Sequence, residues 1–335
     1  MIFHPGIIAL ISGSVLVTLM QVYAVMLGIK VILRWNFQSN SASQLSLERK
    51  TYLISTIMNY VLGFQIISTL LFIYTLDDIH PLFVGAMCAT GSLNVNPVGW
   101  VSLFSKILVC FVAGLWLVLN YLDQKAEDYP LVRLKYCFLI GLLPLLVLDS
   151  FLQFQYFYGL DPSIITSCCG SLFGTSGTSV ASSIAGLPVL PTMIVFYGGF
   201  SVIFTVSLLC LFSQKAFLRY LLSGASAVFL LVALAAVVSF ISIYIYELPT
   251  HHSPFDILQH GYGYIGYPLY ISLFVGIFFA LLPGILQPVK RIHSLQGILA
   301  RLERSWIITS LVCLSLLFVI ITFHIATSNL TYFAH

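Results

Sequence analysis

Cys88, the adjacent Cys168 and Cys169, and the histidines His80, His251, His252 and His260 lie in three polar segments that contain no Lys or Arg. Thiolates and imidazoles are the ligands that soft or borderline metals such as Cu(I), Hg(II) and Zn(II) select. The same thiols are also the groups that exchange disulfides. Adjacent cysteines cannot close an ordinary disulfide with each other without strain, because their Cα atoms stand only about 3.8 Å apart. Cys168 and Cys169 therefore read as two separate thiols. Either one pairs with Cys88, or both hold a metal, with Cys88 as a further thiolate ligand and His80, His251 or His252 as nitrogen ligands. The segment Thr250-His-His-Ser-Pro-Phe-Asp-Ile-Leu-Gln-His260 adds imidazoles and a carboxylate. No Cys-x-x-Cys or His-Glu-x-x-His spacing accompanies them.

A second group is set apart by its surroundings. Lys106 and Asp149 are lone charges inside apolar runs, at comparable depth in consecutive spans, and a single charge in hydrocarbon is costly. The two are expected to face one another. Gln153 lies one helical turn from Asp149 on the same face. A structural ion pair fits that placement, and so does a proton or ion relay or a quinone-side polar pocket. His4 and His324 sit at the ends of the first and last runs, but with no second pair of transmembrane histidines a haem is not expected. Cys110, Cys137, Cys210 and Cys313 fall within apolar runs, where thiols usually pack inertly.

These residues must be positioned by helices in a membrane. The chain has 335 residues, of which 59% are hydrophobic and 7% charged, and so much apolar surface requires lipid as solvent. Eight apolar runs, near 6–34, 51–75, 101–122, 135–158, 191–213, 220–246, 267–287 and 306–326, are each long enough to cross roughly 30 Å at 1.5 Å per residue. Of the 14 Lys and Arg, all but Lys106 fall in or beside the intervening stretches 30–50, 125–135, 215–219 and 290–304. Basic loops stay on the cytoplasmic side. Both termini and the segments 76–100, 159–190 and 248–266 are then extracytoplasmic, and thiols there need partners in an oxidising compartment. The expected fold is all-α: one integral membrane domain over 1–335, an eight-span bundle with the three outer loops as a cap. Residues 290–304 read as an interfacial amphipathic helix or a plain turn, and residues 38–44 as a polar connector. No basic groove interleaved with aromatics supports nucleic-acid binding, and the net charge of +3 comes almost wholly from the cytoplasmic loops.

The segments Met87-Cys-Ala-Thr-Gly-Ser-Leu-Asn-Val-Asn-Pro97, Thr166-Ser-Cys-Cys-Gly-Ser-Leu-Phe173 and His252-Ser-Pro-Phe-Asp-Ile-Leu-Gln259, the last followed by Tyr264-Ile-Gly-Tyr-Pro-Leu-Tyr270, resemble uncharacterised bacterial polytopic proteins. In those a Cys precedes the Pro-Phe, where this chain has Ser253, a departure that leaves the third loop without a thiol. The vicinal cysteines are similar to those of mercuric-ion transport proteins, over two residues only. The leading expectation is an inner-membrane protein that handles copper or mercury through its outer Cys and His ligands. Thiol-disulfide exchange with a periplasmic partner, one vicinal Cys attacking and Cys88 resolving, is the alternative. A non-catalytic subunit that docks a periplasmic protein or other membrane chains is the third. No nucleotide-binding loop, flavin fingerprint or hydrolase motif points to an ordinary enzyme.

Overall fold

Apolar runs with no internal water must satisfy their own backbone groups, and the helix does so within one segment. The computed structural model describes residues 3–35, 41–126, 128–164, 166 and 184–330, and among them every regular element is helical. Eight helices are long and apolar enough to span a membrane. We number the α-helices α1 (Pro5–Arg34), α2 (Ala42–Asp78), the short α3 (Ala89–Leu93), α4 (Val98–Lys125), α5 (Val132–Tyr158), α6 (Val189–Phe212), α7 (Ala216–Tyr246), α8 (Gly266–Ile285) and α9 (His293–Thr327). Cys168 and Cys169 lie outside the described residues, as does His335.

The chain divides into two compact units. Unit 1, Met1–Val84 with Ser92–Ile165, is a four-helix bundle in which α1 packs on α2 and α5, and α4 packs on the same two. Its core includes Val17, Ala24, Met58, Leu62, Val109, Trp116, Tyr136 and Leu139. Unit 2, Gly85–Gly91 with Thr166–His335, is built in the same manner: α8 packs on α7 and α9, and α6 on those two. At Gly276 an added Cβ would stand 2.8 Å from Leu314, so α8 and α9 approach closely only because the residue is glycine.

Two helices outrun the spans expected from hydropathy. α2 begins at Ala42 rather than near 51, because Ser41 accepts a hydrogen bond from the Gln44 amide at 3.3 Å and caps it within the supposed connector. α9 begins at His293, so the amphipathic stretch forms the first turns of the last helix instead of a separate interfacial helix. No proline or helix-stopping sequence separates Arg304 from Trp306, and the helix therefore runs on.

α7 is interrupted by a π turn at Val237–Ile241 and stops at Glu247, whose φ of 56° is left-handed. π turns disturb the regular carbonyl ladder and recur at functional sites. Here the carbonyl of Val238 accepts from His252 Nδ1 at 2.8 Å, which draws the 248–266 segment back against its own helix.

Candidate functional site

The segment that follows α7 is held by two tyrosines. Tyr246 donates to the Ser253 carbonyl at 2.6 Å and accepts from the Ile257 amide at 3.0 Å, while Tyr270 donates to the Pro254 carbonyl at 2.5 Å. Two 3₁₀ turns, Asp256–Leu258 and His260–Tyr262, complete it. Ser253 is thereby fully buried, and its hydroxyl donates to Asp256 Oδ1 at 2.9 Å. The other carboxylate oxygen of Asp256 is in contact with His251 Nε2.

Cys88 belongs to this unit and completes the group. Its sulfur is fully buried, 3.4 Å from Ser253 Oγ, and in hydrogen-bond contact with Asp256. Gln259 Nε2 donates to the Met87 carbonyl at 3.0 Å and fixes the neighbouring backbone. On the other side Gly85 has a φ of 86°, and an added Cβ would stand 2.6 Å from the Thr166 carbonyl oxygen. Only glycine allows that approach, which brings the chain two residues before Cys168 against the chain three residues before Cys88. Parts of all three basic-free segments thus meet in unit 2.

The electrostatics assign roles. Burial pushes the Asp256 carboxyl up, but hydrogen bonds from His251, Cys88 and Ser253, with the charge of His251, outweigh it and hold the group below its usual range. Asp256 is therefore ionised at neutral pH. An anion beside Cys88 favours the protonated thiol, which donates a hydrogen bond, over the thiolate. A carboxylate this acidic is a poor base, so Asp256 orients the groups around it rather than taking a proton from them. Because the folded value lies below the unfolded one, the stability Asp256 contributes is present above about pH 4 and lost as pH falls through the folded value. Asp256→Asn is expected to flatten the decline in unfolding midpoint below pH 4 in detergent. Equal slopes for the two proteins would show that Asp256 ionises alike in both states.

Other residues singled out by sequence are engaged elsewhere. His80, in unit 1, bonds through Nδ1 to the Asp77 carbonyl. His252 is 7% exposed and turned to Val238. His4 pairs with Asp78 at 3.1 Å. Among the described residues no group of three or more His, Cys, Asp or Glu is arranged to hold a metal ion, and no disulfide is present. The pairing expected of Cys88 with Cys168 or Cys169 lies outside the described residues.

In unit 1, Lys106 Nζ and Asp149 Oδ2 stand 3.2 Å apart, both side chains 1% exposed. Gln65 donates to the same oxygen at 2.9 Å, and the ammonium lies 5.2 Å from the Phe72 ring centre. Gln153 donates to the Leu10 carbonyl and to Ser14 Oγ. Two further buried groups were not singled out by sequence: Lys135 with Asp123 at 2.6 Å, and, in unit 2, Glu303 Oε2 with Arg219 at 2.9 Å and Lys290 at 2.6 Å. Each lies near a span end, where charges ordinarily snorkel to water.

No family model matches the chain, and neither the curated proteins nor the solved structures contain a match. The fold by itself defines a multi-pass, all-helical membrane protein. Within it, unit 2 holds a buried thiol on a Ser-Asp-His network.

Proposed function

We propose that the protein exchanges thiols and disulfides on the extracytoplasmic face of a bacterial inner membrane. The reading rests on one observation: the buried Cys88 sulfur lies 3.4 Å from Ser253 Oγ, in a network that runs through Asp256 to His251. A resolving cysteine needs what this network offers, a buried resting state as a protonated thiol held in a fixed orientation.

In the proposed cycle a thiolate of Cys168 or Cys169 attacks a partner's disulfide, forming a mixed disulfide and releasing one partner sulfur as thiolate. Cys88 then attacks the vicinal sulfur, its proton passing to the partner thiolate already released. The second partner sulfur leaves as thiolate. The partner's disulfide has gained two electrons, and Cys88 and one vicinal cysteine have lost them as a new disulfide. The reverse sequence oxidises a dithiol partner. The basic-loop pattern supports placing these cysteines outside.

Labelling intact cells with a membrane-impermeant thiol reagent after mild reduction is expected to modify Cys168 or Cys169. Purified protein equilibrated with oxidised glutathione is expected to yield a peptide pair joining Cys88 to one of them, reopened by reduced glutathione. Bound copper or mercury with all three thiols reduced would instead establish the soft-metal reading. A Cys88 that never enters a disulfide would end the exchange proposal, and labelling only after permeabilisation would reverse the topology.

A further inference from the structure

At the end of unit 1 that carries the basic stretches 30–50 and 125–135 lies a half-open cavity of about 350 Å³ between the C-terminal end of α1, the first turns of α2, the last turn of α4 and the start of α5. Trp35, Tyr52 and Tyr129 supply its aromatic walls. Two of its lining side chains have a polar atom that is buried and has no hydrogen-bond partner, Thr51 Oγ1 and Gln124 Nε2, and Thr51 is only 5% exposed. A buried polar group left unpaired is costly, and two potential donors that line one cavity suit a ligand bearing acceptors. A third observation is conformational. Tyr129 has a φ of 44°, a left-handed backbone that a bulky residue rarely adopts and that recurs where ligands are clamped.

The charges argue for a neutral ligand. Lys135 lines the cavity, but its ammonium is taken by Asp123 at 2.6 Å and by Asn120 at 3.1 Å. Glu48 accepts from Gln44 at 3.1 Å and offsets Arg49 beside it. The size and aromatic walls suit one flat ring. Leu45 and Tyr52 at the rim are 51% and 62% exposed, an apolar exit for a tail, with Tyr52 at the start of the apolar run of α2.

We propose that this cavity seats the head ring of a membrane quinone, with Gln124 Nε2 and Thr51 Oγ1 donating to its carbonyl oxygens and the tail leaving past Leu45 and Tyr52. The site goes beyond the thiol exchange proposed above and does not rest on it. No electron transfer is implied, only binding.

The test titrates a decyl-substituted benzoquinone into the purified full chain in detergent and follows tryptophan fluorescence, with Trp35 in the cavity wall as the reporter. Saturable quenching at micromolar quinone is expected, absent in Trp35→Phe and at least tenfold weaker in Thr51→Val and Gln124→Leu. Tyr129→Gly separates binding from folding. Glycine relieves the left-handed backbone, so the melting temperature should hold or rise while quinone affinity falls. Quenching that grows linearly without saturation, or that is unchanged in all the cavity variants, is partition into the micelle and overturns the proposal. Displacement of the quinone by equal or lower concentrations of a short-chain phosphatidylglycerol also overturns it, by making the site one for a phospholipid head.

Discussion

Lys106→Met is expected to destabilise unit 1 by about 3–5 kcal/mol, and Asp149→Leu by a similar amount, while the double variant recovers most of the loss. Each single change strands a charge that has no route to water: both side chains are 1% exposed, and their 3.2 Å contact is their mutual neutralisation. The double variant removes both charges. It leaves Gln65, which donates to Asp149 at 2.9 Å, as the principal unsatisfied group, at about 1–3 kcal/mol. Folded yield and denaturant midpoints in detergent give the cycle directly. Losses that simply add would show two independent residues and no buried pair.

Ser253→Cys is expected to lock Cys88. The sulfur of Cys88 lies 3.4 Å from the Ser253 hydroxyl oxygen in a fully buried site, and a sulfur in that place needs only a small rotation to reach the bond length of about 2.05 Å. The two positions are 165 residues apart, so the cross-link would close a long loop and stabilise by about 2–4 kcal/mol. If Cys88 is the resolving thiol, the oxidised variant should lose exchange with a disulfide-bonded peptide by more than a hundredfold, and dithiothreitol should restore it. Mass spectrometry counts the bond. Exchange that persists in the fully cross-linked protein would remove Cys88 from the cycle.

The eight spans are legible because lipid imposes a length and a polarity that few soluble helices share. Lys106 and Asp149 stand out for the same reason, each a lone charge in an apolar run, and the structure pairs them. Lys135 with Asp123 and Arg219 with Glu303 do not stand out, since charges near span ends read as interfacial. The early starts of α2 and α9 escape a hydropathy reading because their first turns are polar and only capping and the absence of a stop reveal them. Most hidden is the setting of Cys88. Ser253 and Asp256 carry an i, i+3 spacing typical of a local turn, and nothing in that spacing reports a thiol 165 residues away. Nor does it report the π turn whose Val238 carbonyl holds the His252 ring through Nδ1.

The short segment Gly85–Gly91 belongs by its contacts to unit 2, although it is made between two helices of unit 1. During synthesis Cys88 precedes its hydroxyl partner by 165 residues, an interval of roughly ten to thirty seconds at about 5–20 residues per second. Throughout that interval its sulfur lacks the serine and the carboxylate that it later contacts, and it has the reactivity of an ordinary cysteine on a nascent chain. Cys168 and Cys169 are added within the same interval. The order of translation therefore presents all three sulfurs to one another, and to any oxidant at the membrane, before the network that will govern Cys88 has been made.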